Sequence, residues 1–469
     1  MEATPYRAPL EQALKHAVSH LEGIDDAPVA ATASVAELRA KLGRPLDETG
    51  VDAAQVIDEL VAECAGGVLG SAGGRFFGWV IGAATPAALA ADWLTSAWDQ
   101  NAASVSTGPA EAVLEEISGE WLKDLLGLPA TASFALVTGS QMGHVTCLAA
   151  ARNALLARSG WDVERDGLAG APRLRIVSGD QRHGSIERAA RLLGLGSASI
   201  VDLPTDEEGR LRPDVLEAAL RRDPNVATII VLQAGDLNIG AFDPFQELIP
   251  IAHASGAWVH VDGAFGLWAA ASPRYRSYLA GVERADSWVT DGHKWLNVPY
   301  DCGYAFVADP SPHQATFGHR ASYIVRAVDG RDPSEWTPEW SRRGRGVATY
   351  AALRELGRRG VAELIERTCR HAHTLATRIG ALPGAELVCE PRINQGLVRF
   401  LDGRPGATEC DHDRRTDAVI EQVLYTGEAL FSGSTWRGKR CMRISVCSWR
   451  TNHADVERTV AAVRHVLET

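Results

Sequence analysis

Lysine is rare in this chain, and one lysine lies where an amine is useful for chemistry. The sequence has five lysines in 469 residues, and arginine takes the place of lysine almost throughout. Lys294 comes directly after His293 and shortly after the apolar run 288–290. Arginine cannot form an imine because its guanidinium stays protonated, whereas a desolvated lysine becomes a neutral nucleophile. Lys294 is therefore a candidate for covalent chemistry at its amine.

A candidate acid, Asp262, ends another apolar run, 258–261, upstream of Lys294. A buried carboxylate and a Schiff-base lysine at neighbouring strand ends are the two groups that a pyridoxal phosphate (PLP) site requires. The alternative is a lysine on the surface and an acid that merely ends a strand. The two contexts taken together favour the PLP site.

Two predicted strand-to-helix turns carry further candidates. Gly139 and Ser140 are small enough to let backbone N–H groups approach an anion at the positive end of a helix, which indicates a phosphate cradle. A plain helix cap is the alternative. His183 lies in a second such turn, where its ring is a candidate to lie over a planar cofactor; a residue that only satisfies a helix N-terminus is again the alternative.

The middle of the chain alternates short apolar runs with helical patterns. This alternation predicts a mostly parallel sheet that is covered by helices on both faces, with catalytic groups at the carboxyl ends of the strands. The predicted strands are 134–138, 174–178, 199–203, 227–233, 258–262, 288–290 and 304–307, and the predicted helices include 141–158, 185–193, 212–221 and 245–254.

Three segments are expected along the chain. Residues 1–84 form an N-terminal helical arm, residues 85–345 a large α/β domain, and residues 346–469 a small α+β domain. The arm reads as amphipathic helices with little core of their own, so we expect it to pack on another surface, such as a second subunit.

Composition excludes several classes of function. The formal net charge of −12 indicates no general attraction to nucleic acid or to an anionic membrane surface. The sequence has no apolar run of 18 residues and no basic-then-apolar signal pattern at its start, so we expect no membrane partner. The eight cysteines lack framework spacing, which favours reduced thiols in the cytoplasm. Cys410, Asp411, His412 and Asp413 have no second ligand pair, so we interpret them as a polar loop and expect no metal.

The chain resembles the PLP-dependent group II amino acid decarboxylases, the family of glutamate, aromatic amino acid and histidine decarboxylases. The similar elements appear in family order over roughly residues 70 to 460. They are Arg75-Phe76-Phe77-Gly78, Thr138 to Gly143, His183-Gly184-Ser185-Ile186, Gly240-Ala241-Phe242-Asp243-Pro244, Val261-Asp262-Gly263-Ala264, Asp291-Gly292-His293-Lys294-Trp295, Ser341-Arg342-Arg343 and Met442-Arg443-Ile444.

The resemblance implies a type I PLP-dependent transferase fold, a homodimer, and a role for each matching residue. Lys294 corresponds to the Schiff-base lysine and Asp262 to the partner of the pyridine nitrogen. The remaining cofactor contacts are Ala264 on one ring face, His183 on the other, and Gly139, Ser140 and His293 at the phosphate.

Three residues correspond to substrate contacts in this family. Arg443 corresponds to an arginine that meets the substrate carboxylate in some members, and a strand residue in an ion pair is the alternative. Phe77 and Trp79 match the region that lines the substrate pocket, and aromatic core packing is the alternative. Asp99, Asp236 and Asn238 are candidates for contact with a polar substrate.

The implied reaction is decarboxylation of a small-molecule L-amino acid, with release of CO2 and an amine. The segment 324–336 has no tyrosine, whereas aromatic amino acid decarboxylases carry a loop tyrosine that returns a proton; Tyr323 lies just before it. Decarboxylation coupled to oxidative deamination, which gives an aldehyde, is therefore an alternative. A catalytically idle PLP-binding homologue is the third hypothesis.

Overall fold

The computed structural model describes residues 4–319 and 330–469. These residues form two compact units. The larger unit comprises the described residues within 80–373 and 389–396, and the smaller comprises those within 1–79, 374–388 and 397–469.

The helices and strands alternate in the larger unit, as the sequence predicts. Across both units, in chain order, the strands are β1 Ser133–Val137, β2 Leu174–Gly179, β3 Ile200–Leu203, β4 Ala227–Gln233, β5 Trp258–Asp262, β6 Ser287–Asp291, β7 Gly303–Val307, β8 Ala385–Leu387, β9 Gln395–Phe400, β10 Ser432–Trp436 and β11 Lys439–Ser445. The α-helices of both units are α1 Arg7–Gly23, α2 Val35–Leu42, α3 Ala53–Cys64, α4 Pro86–Trp98, α5 Pro109–Leu126, α6 Ser140–Ala157, α7 Val163–Asp166, α8 Gly184–Leu192, α9 Pro213–Arg222, α10 Phe245–Ala254, α11 Pro310–Phe317, α12 Arg345–Gly380, α13 Glu409–Tyr425 and α14 His453–Glu468.

The larger unit is built on a seven-stranded sheet with the order β1-β7-β6-β5-β4-β2-β3. Strands β3, β2, β4, β5 and β6 are parallel, and β7 runs antiparallel to both of its neighbours. Strands β4 and β5 begin and end where the sequence predicts, and the other predicted strands agree to within one residue at either end. The predicted fold class, a mostly parallel sheet with helices, is confirmed.

The strands read as continuous apolar runs because both faces of the sheet are covered. Along β1, Leu136 belongs to one buried apolar cluster, whereas Ala135 and Val137 belong to the other. Successive side chains of a strand point to opposite faces, so each strand contributes to both clusters. The strands that end at the candidate site residues are thus packed on both faces.

The smaller unit contains a four-stranded sheet with the order β10-β11-β9-β8. The predicted N-terminal arm forms α1, α2 and α3, which contain no fully buried residue. The arm is attached to the C-terminal part of the same unit. The Val29 N–H donates to the Gly427 carbonyl at 2.9 Å, and Arg450 donates to Asp25 at 2.8 Å.

The two units differ from the three segments that the sequence predicts. Residues 346–373 belong to the larger unit, because the first part of α12 makes buried contacts there. The Thr349 hydroxyl lies 3.0 Å from the Tyr304 hydroxyl, and the Trp295 indole donates to Thr368 at 2.8 Å. Such contacts join residues far apart in sequence, and the local pattern of α12 does not reveal them.

The interpretation of residues 410–413 as a polar loop is wrong. These residues lie in the first turn of α13, where the Asp411 carboxylate accepts from both the backbone N–H and the hydroxyl of Thr408. This capping box stabilises the start of a helix. Within residues 4–319 and 330–469, no helix is both long and apolar enough to cross a membrane.

Candidate active site

The carboxyl ends of β4, β5 and β6 meet at one edge of the sheet. The register pairs Gln233 with Asp262 and Asp262 with Val289. Lys294 follows β6 by three residues, so the candidate acid and the candidate amine belong to the ends of neighbouring parallel strands. This is the arrangement that the sequence predicts.

Lys294 is held by an acid to which the sequence analysis assigned no role. Its Nζ lies 2.8 Å from Oδ2 of Asp291, the last residue of β6, which is almost completely buried. The other oxygen, Oδ1, accepts from the backbone N–H of Ser140 at 2.6 Å. Asp291 therefore joins the lysine to the start of α6. The available signal was an acid directly after the predicted strand 288–290 and three residues before the lysine.

The pKa of Asp291 reflects these partners. Burial raises the pKa of the Asp291 carboxyl, but the ammonium of Lys294 and the ring of His293 outweigh it, so the net pKa lies below its usual value. The carboxylate stays ionised in spite of its burial.

Asp262 is likewise buried and ionised. Burial raises the pKa of its carboxyl, but nearby groups, His144 foremost, outweigh it and hold the pKa below its usual value. Oδ1 of Asp262 accepts from the backbone N–H of Ala264 at 3.2 Å. A buried anion at a strand end is suited to pair with a protonated ring nitrogen.

Gly139, Ser140 and His293 come together as the sequence predicts. A Cβ added at Gly139 would lie 2.9 Å from Cε1 of His293. Helix α6 begins at Ser140 without a side-chain cap, and the buried Ser140 hydroxyl has no hydrogen-bond partner among the described residues. A helix N-terminus with an unused hydroxyl provides donors for an anion.

The ring of His293 has a defined orientation. Its Nδ1 accepts from the backbone N–H of Cys302 at 3.2 Å, and the ring stacks on Tyr300 with centroids 4.3 Å apart. Burial lowers the pKa of His293, which favours the neutral ring. With Nδ1 as an acceptor, the proton resides on Nε2, which is therefore a donor.

His183 caps α8 and keeps its ring exposed. Its Nδ1 accepts from the Ser185 N–H at 3.2 Å and lies 2.8 Å from the Ser185 hydroxyl. The cap is the alternative that the sequence leaves open, and it is compatible with a ring that lies over a cofactor. The position of the ring relative to a cofactor stays a prediction.

A short segment at the start of the larger unit, residues 82–83, supports the turn that carries Lys294. A Cβ at Gly82 would lie 1.9 Å from the Lys294 carbonyl oxygen, so only glycine fits there. The Gly82 N–H donates to the His293 carbonyl at 3.3 Å, and the Ala83 N–H donates to the Asn297 side chain at 2.9 Å. These contacts fix the backbone on both sides of Lys294.

The three predicted substrate residues belong to the smaller unit. Phe77 is completely buried and stacks on Phe431 with centroids 5.5 Å apart, which is the core packing left open above. Trp79 is 55% exposed and has a positive φ of 49°. Arg443 is buried on β11, opposite Ser432. Their contact with substrate stays a prediction.

Asp236, one of the polar substrate candidates, has a structural role. The Asp236 carboxylate accepts from the backbone N–H groups of Asn238 and Ala241, each at 2.8 Å, and so closes a turn.

Tyr323 lies outside the described residues. At the far end of the same segment, Arg331 lies over the Phe134 ring with its guanidinium carbon 4.0 Å from the centroid.

The residues present fit PLP. A buried anion at Asp262 suits the ring nitrogen, the Lys294 amine suits the aldehyde, and the start of α6 with His293 suits the phosphate. Ser140 and Thr290 carry buried hydroxyls without a hydrogen-bond partner in the described part of the chain, as expected for groups near a bound ligand.

The sheet, the strand-end lysine and its two acids define a PLP-dependent enzyme of fold type I. The family described as pyridoxal-dependent decarboxylase conserved domain matches residues 38–401, and the chain belongs to this family. The expectations of a PLP cofactor and of a PLP-dependent carboxy-lyase that acts on an amino acid are confirmed.

Individual relatives match along most of the chain. Aromatic-L-amino-acid decarboxylase of Bacillus atrophaeus is 25% identical, over 97% of this chain and 94% of that protein. 4-Hydroxyphenylacetaldehyde synthase of Rhodiola rosea is 29% identical, over 70% of this chain and 67% of that protein. The crystal structure of Oryza sativa TDC with PLP and tryptamine superposes with a TM-score of 0.93 at 24% identity, covering 100% of this chain and 98% of that one.

Proposed function

We propose that this enzyme decarboxylates an aromatic L-amino acid to its amine, using Lys294, Asp262, Asp291 and His183. The observation that carries the proposal is the Lys294 amine, which lies 2.8 Å from a buried carboxylate and follows the strand that neighbours the strand of Asp262. The choice of an aromatic substrate is supported by the Bacillus atrophaeus relative, which matches over nearly the whole chain.

PLP, when bound, supplies an electron sink for the electron pair left at Cα as CO2 departs. Asp262 contributes a buried negative charge that keeps a proton on the ring nitrogen and thereby maintains the sink. Ala264 positions one oxygen of Asp262 through its backbone N–H, 3.2 Å away.

Lys294 would contribute the amine that holds the cofactor, and Asp291 fixes the position of that amine. To act as a nucleophile, Nζ would have to lose its proton, and the Asp291 carboxylate would keep two partners, the Ser140 N–H at 2.6 Å and His293, whose Nε2 lies 3.8 Å from Oδ2. Gly139, Ser140 and the Nε2–H of His293 would hold the phosphate of PLP.

His183 is our candidate for returning the proton to Cα. Its Nδ1 is occupied by the cap of α8, which leaves Nε2 of the exposed ring to carry a proton. An imidazole can both accept and donate a proton at a ring nitrogen, which suits it to this transfer.

Oxidative deamination to an aldehyde is the second candidate. It is supported by the Rhodiola rosea relative and by the lack of tyrosine from residue 324 to residue 336 in the sequence. The two reactions differ in their products, because the second consumes O2 and water and yields aldehyde, ammonia and hydrogen peroxide beside CO2.

A product assay with purified, PLP-loaded enzyme tests the proposal. Phenylalanine, tyrosine, tryptophan, histidine and glutamate are supplied separately, and CO2, amine, aldehyde and peroxide are measured together in air and under nitrogen. We expect amine and CO2 in equal amounts from an aromatic substrate under both atmospheres. Turnover of glutamate alone contradicts the substrate class, and aldehyde that requires air supports the second candidate.

We further propose a cytoplasmic homodimer without a nucleic-acid partner. The arm supports the dimer, since α1 leaves Leu10 57% and Leu14 50% exposed. The eight cysteines, which are all thiols in the structure, support a reducing compartment. The net charge of −12 supports the lack of affinity for nucleic acid.

A further inference from the structure

A row of buried side chains extends from Asp262 into the interior of the larger unit. Nε2 of His144 lies 3.6 Å from Oδ2 of Asp262, and Nδ1 of His144 lies 2.9 Å from Nε2 of His260. Nδ1 of His260 lies 2.9 Å from the Ser287 hydroxyl, which accepts from the Trp258 indole at 2.9 Å. Both imidazoles are completely buried.

The spacing of these residues explains why they meet. His144 is four residues after Ser140 on α6, so the two side chains share one face of the helix. His260 is two residues before Asp262 on β5, so they share one face of the sheet. One face of α6 thus carries the candidate phosphate residue and, one turn later, the histidine that faces Asp262.

The contacts in this row favour one assignment of protons to the ring nitrogens of His144 and His260. The Asp262 carboxylate favours a proton on Nε2 of His144, which leaves Nδ1 of His144 to accept from Nε2 of His260. Nδ1 of His260 then accepts from the Ser287 hydroxyl, whose oxygen also accepts from Trp258.

The opposite assignment of protons is unfavourable. It would place the Nε2 lone pair of His144 against the ionised Asp262 carboxylate in a buried region, where the repulsion between two electron-rich atoms is weakly screened. Nε2 of His144 has no hydrogen-bond partner within the described residues, and its ion-pair contact there is Oδ2 of Asp262, 3.6 Å away.

Burial also keeps the two rings neutral. It lowers the pKa of His144, and it lowers the pKa of His260 to about 3. A neutral N–H stabilises the Asp262 anion without cancelling its charge. If His144 were protonated, its positive charge would neutralise the Asp262 carboxylate. Asp262 would then stabilise a proton on the cofactor ring nitrogen less well.

We propose that His144, oriented by His260 and Ser287, is a positioning residue that holds Asp262 as an anion in a fixed orientation toward the cofactor ring nitrogen. The proposal rests on the role of Asp262 given under Proposed function. It adds a buried relay of neutral donors that touches neither substrate nor cofactor.

The test follows the ring nitrogen directly, with the whole protein loaded with 15N-labelled PLP. Three measurements are made: the 15N chemical shift of the bound cofactor, its dissociation constant, and the Tm of the cofactor-free protein. His144→Phe removes both ring nitrogens, and His144→Gln restores a donor. His313→Phe is the matched control, because His313 is a completely buried histidine that bonds to Ser133 and the Trp336 carbonyl instead.

In His144→Phe we expect the 15N shift to move toward that of unprotonated pyridine and the dissociation constant to rise about tenfold. His144→Gln should recover most of the shift. His313→Phe should lower the Tm while leaving the 15N shift unchanged, which separates positioning from general loss of stability.

An unchanged 15N shift in PLP-loaded His144→Phe overturns the proposal. If that variant does not fold, Ser287→Ala decides, since it removes the far donor without altering α6; an unchanged shift there overturns the assignment of protons and with it the relay. An unprotonated ring nitrogen in the unaltered enzyme instead overturns the role of Asp262 itself, and so distinguishes failure of the proposed function.

Discussion

At the scale of single residues, two buried carboxylates lie at the ends of neighbouring strands in different surroundings. Asp262 faces neutral imidazole and a backbone N–H, whereas Asp291 faces the ammonium of Lys294. Both have pKa values below the usual range in spite of their burial. Two acids with different partners are suited to two roles, one toward the cofactor ring and one toward the lysine.

Replacing Asp262 by Asn should leave PLP bound but lower turnover by about three orders of magnitude. The amide keeps the shape of the carboxylate but does not hold a proton on the ring nitrogen. The measurements are kcat with an accepted substrate and cofactor content by absorbance. Turnover within a factor of two of the unaltered enzyme would place the role of Asp262 elsewhere.

Replacing Asp291 by Asn should raise the dissociation constant for PLP about tenfold and slow attachment to Lys294. The amide oxygen still accepts from Ser140, but the charge that holds the lysine is lost. The matched control is Asp286→Asn, just before the opposite end of β6, where the carboxylate accepts from the Val259 N–H at 2.7 Å. Equal effects of the two substitutions on PLP binding would argue against a specific role for Asp291.

At the scale of secondary structure elements, the strand ends could be predicted from the sequence, whereas the long-range contacts that hold the residues at those ends could not. Strands β4 and β5 were predicted to the residue because sheets covered on both faces produce continuous apolar runs. Asp291 was missed because its partner N–H, at Ser140, is 151 residues away in sequence. The start of α13 was read as a loop because its charged residues hide a capping box.

The segment around Gly82 provides a test at this scale. Gly82→Ala should destabilise the enzyme by about 2 kcal/mol and reduce PLP attachment, because the new Cβ overlaps the Lys294 carbonyl. The measurements are the urea midpoint and the yield of covalently attached cofactor. Gly50→Ala is the control, since a Cβ there meets nothing within 4 Å. Equal urea midpoints and equal yields of attached cofactor in the two variants would contradict a supporting role of this segment.

At the scale of the whole molecule, the assignment of chain segments to units depends on contacts that the local pattern does not show. The first part of α12 belongs with the larger sheet through Thr349 and Thr368. The sequence predicted the arm and its lack of a core, because apolar residues recur on one face of α1 without enough of them to bury each other.

The proposed dimer predicts that charge on the exposed face of α1 is disruptive. Leu10→Glu with Leu14→Glu should shift the enzyme from dimer to monomer in sedimentation velocity at micromolar concentration. Leu192→Glu is the control, since Leu192 on α8 is 61% exposed and lies outside the arm. A double variant that sediments as the unaltered enzyme does would contradict a dimer through this face.

The identity of the cofactor lysine is the claim on which the whole account depends, and covalent trapping tests it most directly. Borohydride reduction of the PLP-loaded enzyme, followed by digestion and mass spectrometry, locates the attached cofactor. Lys294→Arg serves as the control, since it keeps a positive charge beside Asp291 but cannot attach. We predict a single modified peptide that carries the cofactor on Lys294, and none in the variant. A cofactor attached to Lys15, Lys41, Lys123 or Lys439 would contradict the account.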